Sequence, residues 1–145
     1  MTQSALSKKL KMKPGAKALV LNAPAGYAAE LEPLPEGATL AAKGKGPFDF
    51  VQVFARNRAE MATLAHDGAA VLAPQSVLWL CFPKGSSKIQ TDLTRDTGWD
   101  VIDTLNLKYV TLVSVNDTWS AFALRPYKPG EQAKESNRIA ERMKA

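Results

Sequence analysis

The chain has 145 residues, 46% of them hydrophobic, and a formal charge of +5. That length is one domain's worth, enough to bury ~70% of the unfolded surface. It holds no apolar run of the ~20 residues a transmembrane helix needs. Lysines near the N-terminus are not followed by a signal-peptide apolar stretch, so a cytoplasmic setting without membrane attachment is expected.

The charge is uneven. Residues 1–17 carry five lysines and no acid, residues 18–124 carry eight Lys/Arg against eleven Asp/Glu, and residues 125–145 carry six against three. The basic excess is therefore in the ends, which reads as solvated tails and points away from nucleic acid as a partner. The single cysteine, Cys81, rules out an internal disulfide and lies in an apolar run, as a buried hydrophobe would.

In chain order, Ser4 to Leu10 predicts a short amphipathic helix with Leu6 and Leu10 on one face. Pro14-Gly15 is a turn signal. Ala18 to Leu21 is an apolar run that suits a strand buried on both faces. The Asn22–Gly26 loop follows, then a helix from Tyr27 to Leu31 stopped by Pro33 and Pro35. Ala38 to Ala42 predicts a weak edge strand, and Phe48 to Phe54 a strong one. Asn57 with Glu60 three residues on has the form of a capping box opening a helix, whose core face is Met61, Leu64 and Ala65. His66 falls on that helix as a surface residue.

Ala73-Pro74 precede a third strong strand, Val77 to Phe82. The long polar loop after it carries Lys84-Gly85-Ser86-Ser87, then Asp92, Arg95, Asp96 and Trp99. Thr97 with Asp100 predicts a further helix to about Leu105. Tyr109–Val115 and Trp119–Leu124 predict a hairpin joined by a two-residue turn at Asn116-Asp117. Residues 1–128 form one domain in this reading, and 129–145 a polar tail or frayed helix. Alternating strands and helices make it a three-layer α/β domain, Rossmann-like, its sheet mostly parallel with an antiparallel C-terminal hairpin.

Pro14 to Leu21, Phe48 to Phe54, Leu72 to Trp79 and the final hairpin resemble the first, fourth, fifth and last two strands of the class I S-adenosylmethionine-dependent methyltransferase fold. No room remains between Ala42 and Phe48 for that family's third strand and helix, so the resemblance implies a truncated sheet. Where the family carries an acid and a glycine-rich turn after its first strand, this chain has Asn22-Ala23-Pro24-Ala25-Gly26. Where it carries a ribose-binding acid after its second, Lys43 stands. The expectation is no cofactor. More closely, the Lys-Pro-Gly region, the Asn-Ala-Pro loop, Pro-Lys-Gly-Ser, Asp-Leu-Thr-Arg and Asp-Thr-Trp-Ser resemble a group of small bacterial conserved hypothetical proteins. That likeness implies the fold and no activity.

Loops leaving parallel strands open on one edge of the sheet, where α/β proteins place ligands. Asn22, Arg56, Lys84, Ser86, Ser87 and Arg95 are therefore the candidate binding residues, supplying amide, hydroxyl and cationic donors for a small anionic ligand. Walker A spacing is absent, no Cys/His cluster suggests a metal, and no catalytic residue stands out. The leading expectation is a ligand-binding module. The alternatives are a diverged methyltransferase or other transferase, and a structural or dimerisation module; a homodimer is compatible with each.

Overall fold

The structure is a computed structural model that describes residues 4–84, 105 and 107–126, apart from the side chains at 74 and 75. The elements run α1 (Ala5–Lys9), β1 (Lys17–Leu21), α2 (Tyr27–Leu31), β2 (Thr39–Ala41), β3 (Phe48–Phe54), α3 (Arg58–Ala70), β4 (Leu72–Pro83), β5 (Leu107–Ser114) and β6 (Trp119–Pro126). The six strands among the described residues form one sheet in the order β2-β1-β3-β4-β6-β5. Strands β2, β1, β3 and β4 pair in parallel, and β6 joins β4 antiparallel, with β5 outside it. The three apolar runs are thus adjacent, parallel and central.

Both faces of those strands are covered, which is why they are apolar at successive positions. On one face Leu19, Val51, Val53, Leu78 and Leu80 pack with Met61 and Ala65 of α3. On the other, Ala18, Val20, Phe50, Phe54 and Trp79 pack with Leu10, Met12, Tyr27 and Leu31. Gly68 lets α3 lie close to the sheet: a Cβ there would stand 3.0 Å from Val53 Cγ2 and 3.1 Å from Leu78 Cδ1. At the end of α1, the Trp79 indole N–H donates to the Leu10 carbonyl at 3.1 Å, tying the N-terminal segment to the middle of the sheet.

Two of the three helix starts described, those of α1 and α3, carry side-chain caps of the expected residue types. Ser4 Oγ accepts from Ser7 N at 3.1 Å, and Asn57 Oδ1 accepts from Glu60 N at 2.9 Å. The second half of the Asn57 capping box does not form. Glu60 turns its carboxylate to Arg56 N, one residue earlier.

Two other details depart from the expectation. Strand β4 starts at Leu72, before Pro74, because Phe48 pairs with Leu72 and the register then breaks before Phe50 meets Val77. The irregular segment accommodates the proline. The hairpin turn is longer than two residues. Val115 N donates to the Trp119 carbonyl at 2.9 Å, and Asn116 Oδ1 accepts from Thr118 N and Trp119 N, each at 2.9 Å. The asparagine side chain closes the loop in place of a backbone turn. The proposed helix opening at Thr97 and the tail from 129 lie outside the described residues.

One polar trio is buried between the sheet and α2. Tyr27 Oη donates to Gln52 Oε1 at 2.8 Å, and Gln52 Nε2 donates to Cys81 Sγ at 3.3 Å. Burial raises the Tyr27 hydroxyl well above its ordinary value and pushes the Cys81 thiol up to about 12. Both stay neutral and serve packing, and the thiol is no nucleophile.

Candidate functional site at the C-terminal edge of the sheet

Strand β1 leads on to β2 on one side and has β3 on the other, so the chain diverges between β1 and β3. Such a divergence opens the crevice in which sheets of this class hold ligands. Asn22 follows β1 with φ 59°, in the left-handed region that asparagine tolerates better than most residues. From there Nδ2 donates to the Phe54 carbonyl at 2.8 Å, and to Glu60 Oε1 at 3.3 Å. The asparagine therefore ties the end of β1 to the end of β3 and to α3.

Arg56 completes the arrangement from the end of β3. Its backbone N–H donates to Glu60 Oε1 at 2.9 Å, and Nη2 reaches Glu60 Oε2 at 3.2 Å. The two residues thus present a backbone amide, a carboxamide and a guanidinium to one carboxylate. The Arg56 backbone N–H holds the Glu60 carboxyl below its usual range; partial burial opposes this, and the Arg56 guanidinium and the Asn22 amide assist. The carboxylate is ionised at neutral pH and is poorly suited to act there as a general acid. The donor set is suited to holding a negative charge.

Lys84 lies on the same edge at the end of β4. Its N–H donates to the Thr118 carbonyl at 2.8 Å, and its Nζ to Ser114 Oγ at 2.6 Å, at the end of β5. That contact directs the ammonium toward the hairpin side of the edge, while Asn22 and Arg56 meet at Glu60. The nearby loops are also tied together: Asn116 Nδ2 donates to Glu30 Oε1 of α2 at 3.0 Å. Behind the edge, Phe54 meets Tyr27 and Trp119 edge-on, with ring centroids 4.6 and 5.0 Å away. Ser86, Ser87 and Arg95, with Asp92, Asp96 and Trp99, lie outside the described residues.

Sequence reasoning missed Glu60 as a member of the site. Its spacing from Asn57 signalled a helix cap, and nothing local shows that Asn22 arrives from another strand to share the carboxylate. Among the described residues no group of three His, Cys, Asp or Glu side chains could hold a metal. Among them, too, no helix is long and apolar enough to cross a membrane.

No protein-family model matches the chain, and no curated protein matches it. Solved structures do. A SAM-dependent methyltransferase from Aquifex aeolicus superposes with a TM-score of 0.58 at 10% identity, over 81% of this chain and 85% of that one. A ribosomal protein L11 methylase from Lactobacillus delbrueckii subsp. bulgaricus gives 0.54 at 10% identity, covering 84% and 76%. A protein of the NADB-Rossmann superfamily from Streptococcus agalactiae gives 0.50 at 11% identity, covering 94% and 74%. The fold is accordingly a methyltransferase-like Rossmann fold. At these identities the likeness concerns the fold and carries no activity with it.

Proposed function

We propose that this chain is a small anion-binding module built on a methyltransferase-like frame, with Glu60 serving as the internal occupant of its binding crevice. The supporting observation is the convergence of Asn22 Nδ2, Arg56 N and Arg56 Nη2 on the Glu60 carboxylate, at the divergence between β1 and β3. Those are the donors a small carboxylate or phosphate would use. An external anion would exchange with Glu60, whose side chain is partly exposed and leaves by a rotamer change. The loop after β4, with Lys84 at its root and Ser86, Ser87 and Arg95 along it, would supply further donors. A reducing compartment such as the cytoplasm suits the lone buried thiol.

The test is thermal stabilisation by inorganic phosphate, sulfate and acetate at matched ionic strength. Wild type should respond weakly, Glu60→Gln about tenfold more sensitively, and Arg56→Ala in the Glu60→Gln background not at all. If Glu60→Gln is as unresponsive as wild type to all three, the reading fails.

The fold likeness favours one second reading, a diverged methyltransferase. The residues argue against its cofactor: the β1 loop has Pro24, which lacks an N–H, and Lys43 follows β2. S-adenosylmethionine should give no heat of binding at millimolar concentration. Micromolar binding by calorimetry would put the methyltransferase first.

A further inference from the structure

A second candidate site is at the other end of the sheet. A cavity of about 400 Å³ opens beside the starts of β3 and β4, on the face opposite α3. Its volume falls in the range of small-molecule pockets. Phe50, Trp79 and Ala123, each at most 1% exposed, give it an apolar and partly aromatic floor. The segment leading into β1 forms one wall, and Val110 of β5 the opposite rim. Val110 is 44% exposed, the most exposed large hydrophobic residue among those described.

The charge around this opening is one-sided. Among the described residues Lys11, Lys13 and Arg125 line it against a single acid, Asp49, and Arg125 Nη1 also donates to the Pro126 carbonyl at 2.9 Å. The Asp49 carboxylate accepts from Lys17 N at 3.0 Å and so is partly satisfied by the backbone. Ser76 lines the same cavity, only 4% exposed, and its Oγ is a buried side-chain polar atom without a hydrogen-bond partner among the described residues. A buried hydroxyl without a partner is unusual, because leaving one so is costly. Together these features describe an apolar pocket with a cationic mouth and one unused polar group.

We propose that this cavity binds an aromatic carboxylate, its ring system on the Phe50–Trp79 floor and its carboxylate toward Lys11, Lys13 and Arg125. Ser76 Oγ donates to the ligand or to a water it holds. Charge complementarity selects the anion, and the ring floor selects a flat apolar body over an inorganic ion. The site is independent of the Glu60 crevice, and each stands or falls without the other.

The test uses 2-naphthoate as probe, with 2-naphthamide as its neutral isostere, followed by calorimetry and tryptophan fluorescence on the full chain. Naphthoate should bind and quench Trp79, and naphthamide should bind at least about tenfold more weakly. Lys11→Glu with Lys13→Glu reverses two exposed charges without touching the core, and should weaken naphthoate by about tenfold or more. Ser76→Ala should weaken it by a few-fold. Glu60→Gln should leave it unchanged. No naphthoate binding at millimolar concentration, equal binding of the amide, or indifference to the double charge reversal would each overturn the proposal. Concentration-dependent dimerisation that naphthoate does not disturb, but that Val110→Lys abolishes, would give the cavity mouth to a second copy of this chain and overturn it as well.

Discussion

The two ends of the sheet are built on opposite principles. At the C-terminal edge of β1 and β3 the donors of Asn22 and Arg56 are gathered onto an acid from the chain itself. At the other end, among the described residues, three cations face one acid around an apolar cavity with an unpartnered hydroxyl. The comparison teaches that a topological rule locates where loops converge but not whether their groups remain available. Availability depends on where single side chains such as Glu60 turn, and that is settled by packing.

The largest effect expected from breaking this contrast is at the apolar end. Trp79→Ala removes a fully buried indole from the cavity floor and its hydrogen bond to the Leu10 carbonyl. The loss should be about 3–5 kcal/mol, a large part of the whole stability of a typical domain. Urea unfolding followed by circular dichroism measures it. A loss below about 1 kcal/mol would mean that this end is not packed as described.

At the polar end the effects should be smaller. Asn22→Ala removes the bridge to Phe54 and Glu60 and places a less tolerant residue at φ 59°. A loss of about 1–2 kcal/mol is expected, from one hydrogen bond and left-handed backbone strain. Asn22→Gly separates the two causes, since glycine relieves the strain and leaves the amide missing.

The Glu60 carboxyl gives the polar end a pH signature. Its folded pKa is lowered, chiefly by the Arg56 backbone N–H. A carboxylate of this kind contributes stability above its unfolded value, about 4.3, and that contribution disappears as pH falls through the lower folded value. Wild type should therefore lose stability on acidification in that window, and Glu60→Gln should show a shallower decline there. Parallel acid-unfolding curves for the two proteins would dissociate Glu60 from Arg56 in solution.

The same contrast explains what was legible in the sequence. The apolar runs at 18–21, 48–54 and 77–82 marked the central strands because burial on both faces leaves no polar alternation. Asn57 marked a helix start because capping is local in sequence. The candidate residues Asn22, Arg56 and Lys84 were placed on one edge by strand direction alone. The Glu60 contacts were not legible, since Asn22 and Glu60 are 38 residues apart. Nor was the cavity, which assembles residues from Lys11 to Arg125 with no motif among them. The early start of β4 was hidden by Pro74, which normally argues against a strand.

The smallest expected effect is the most informative about the apolar end. Ser76→Ala should change stability by no more than about 0.5 kcal/mol. The argument rests on asymmetry. Removing one partner of a formed hydrogen bond leaves the other unsatisfied and costs about 1–3 kcal/mol, whereas removing a hydroxyl that has no partner removes only its own desolvation penalty. With Oγ buried and unpartnered, alanine loses no contact that the fold relies on, and a slight stabilisation is the natural sign. Chemical denaturation of the two proteins, with equal slopes, decides it. A loss above about 1 kcal/mol would mean that Oγ is bonded within the protein in solution. The cavity would then lack its unused polar group, and the two ends of the sheet would be alike in spending their donors on the chain itself.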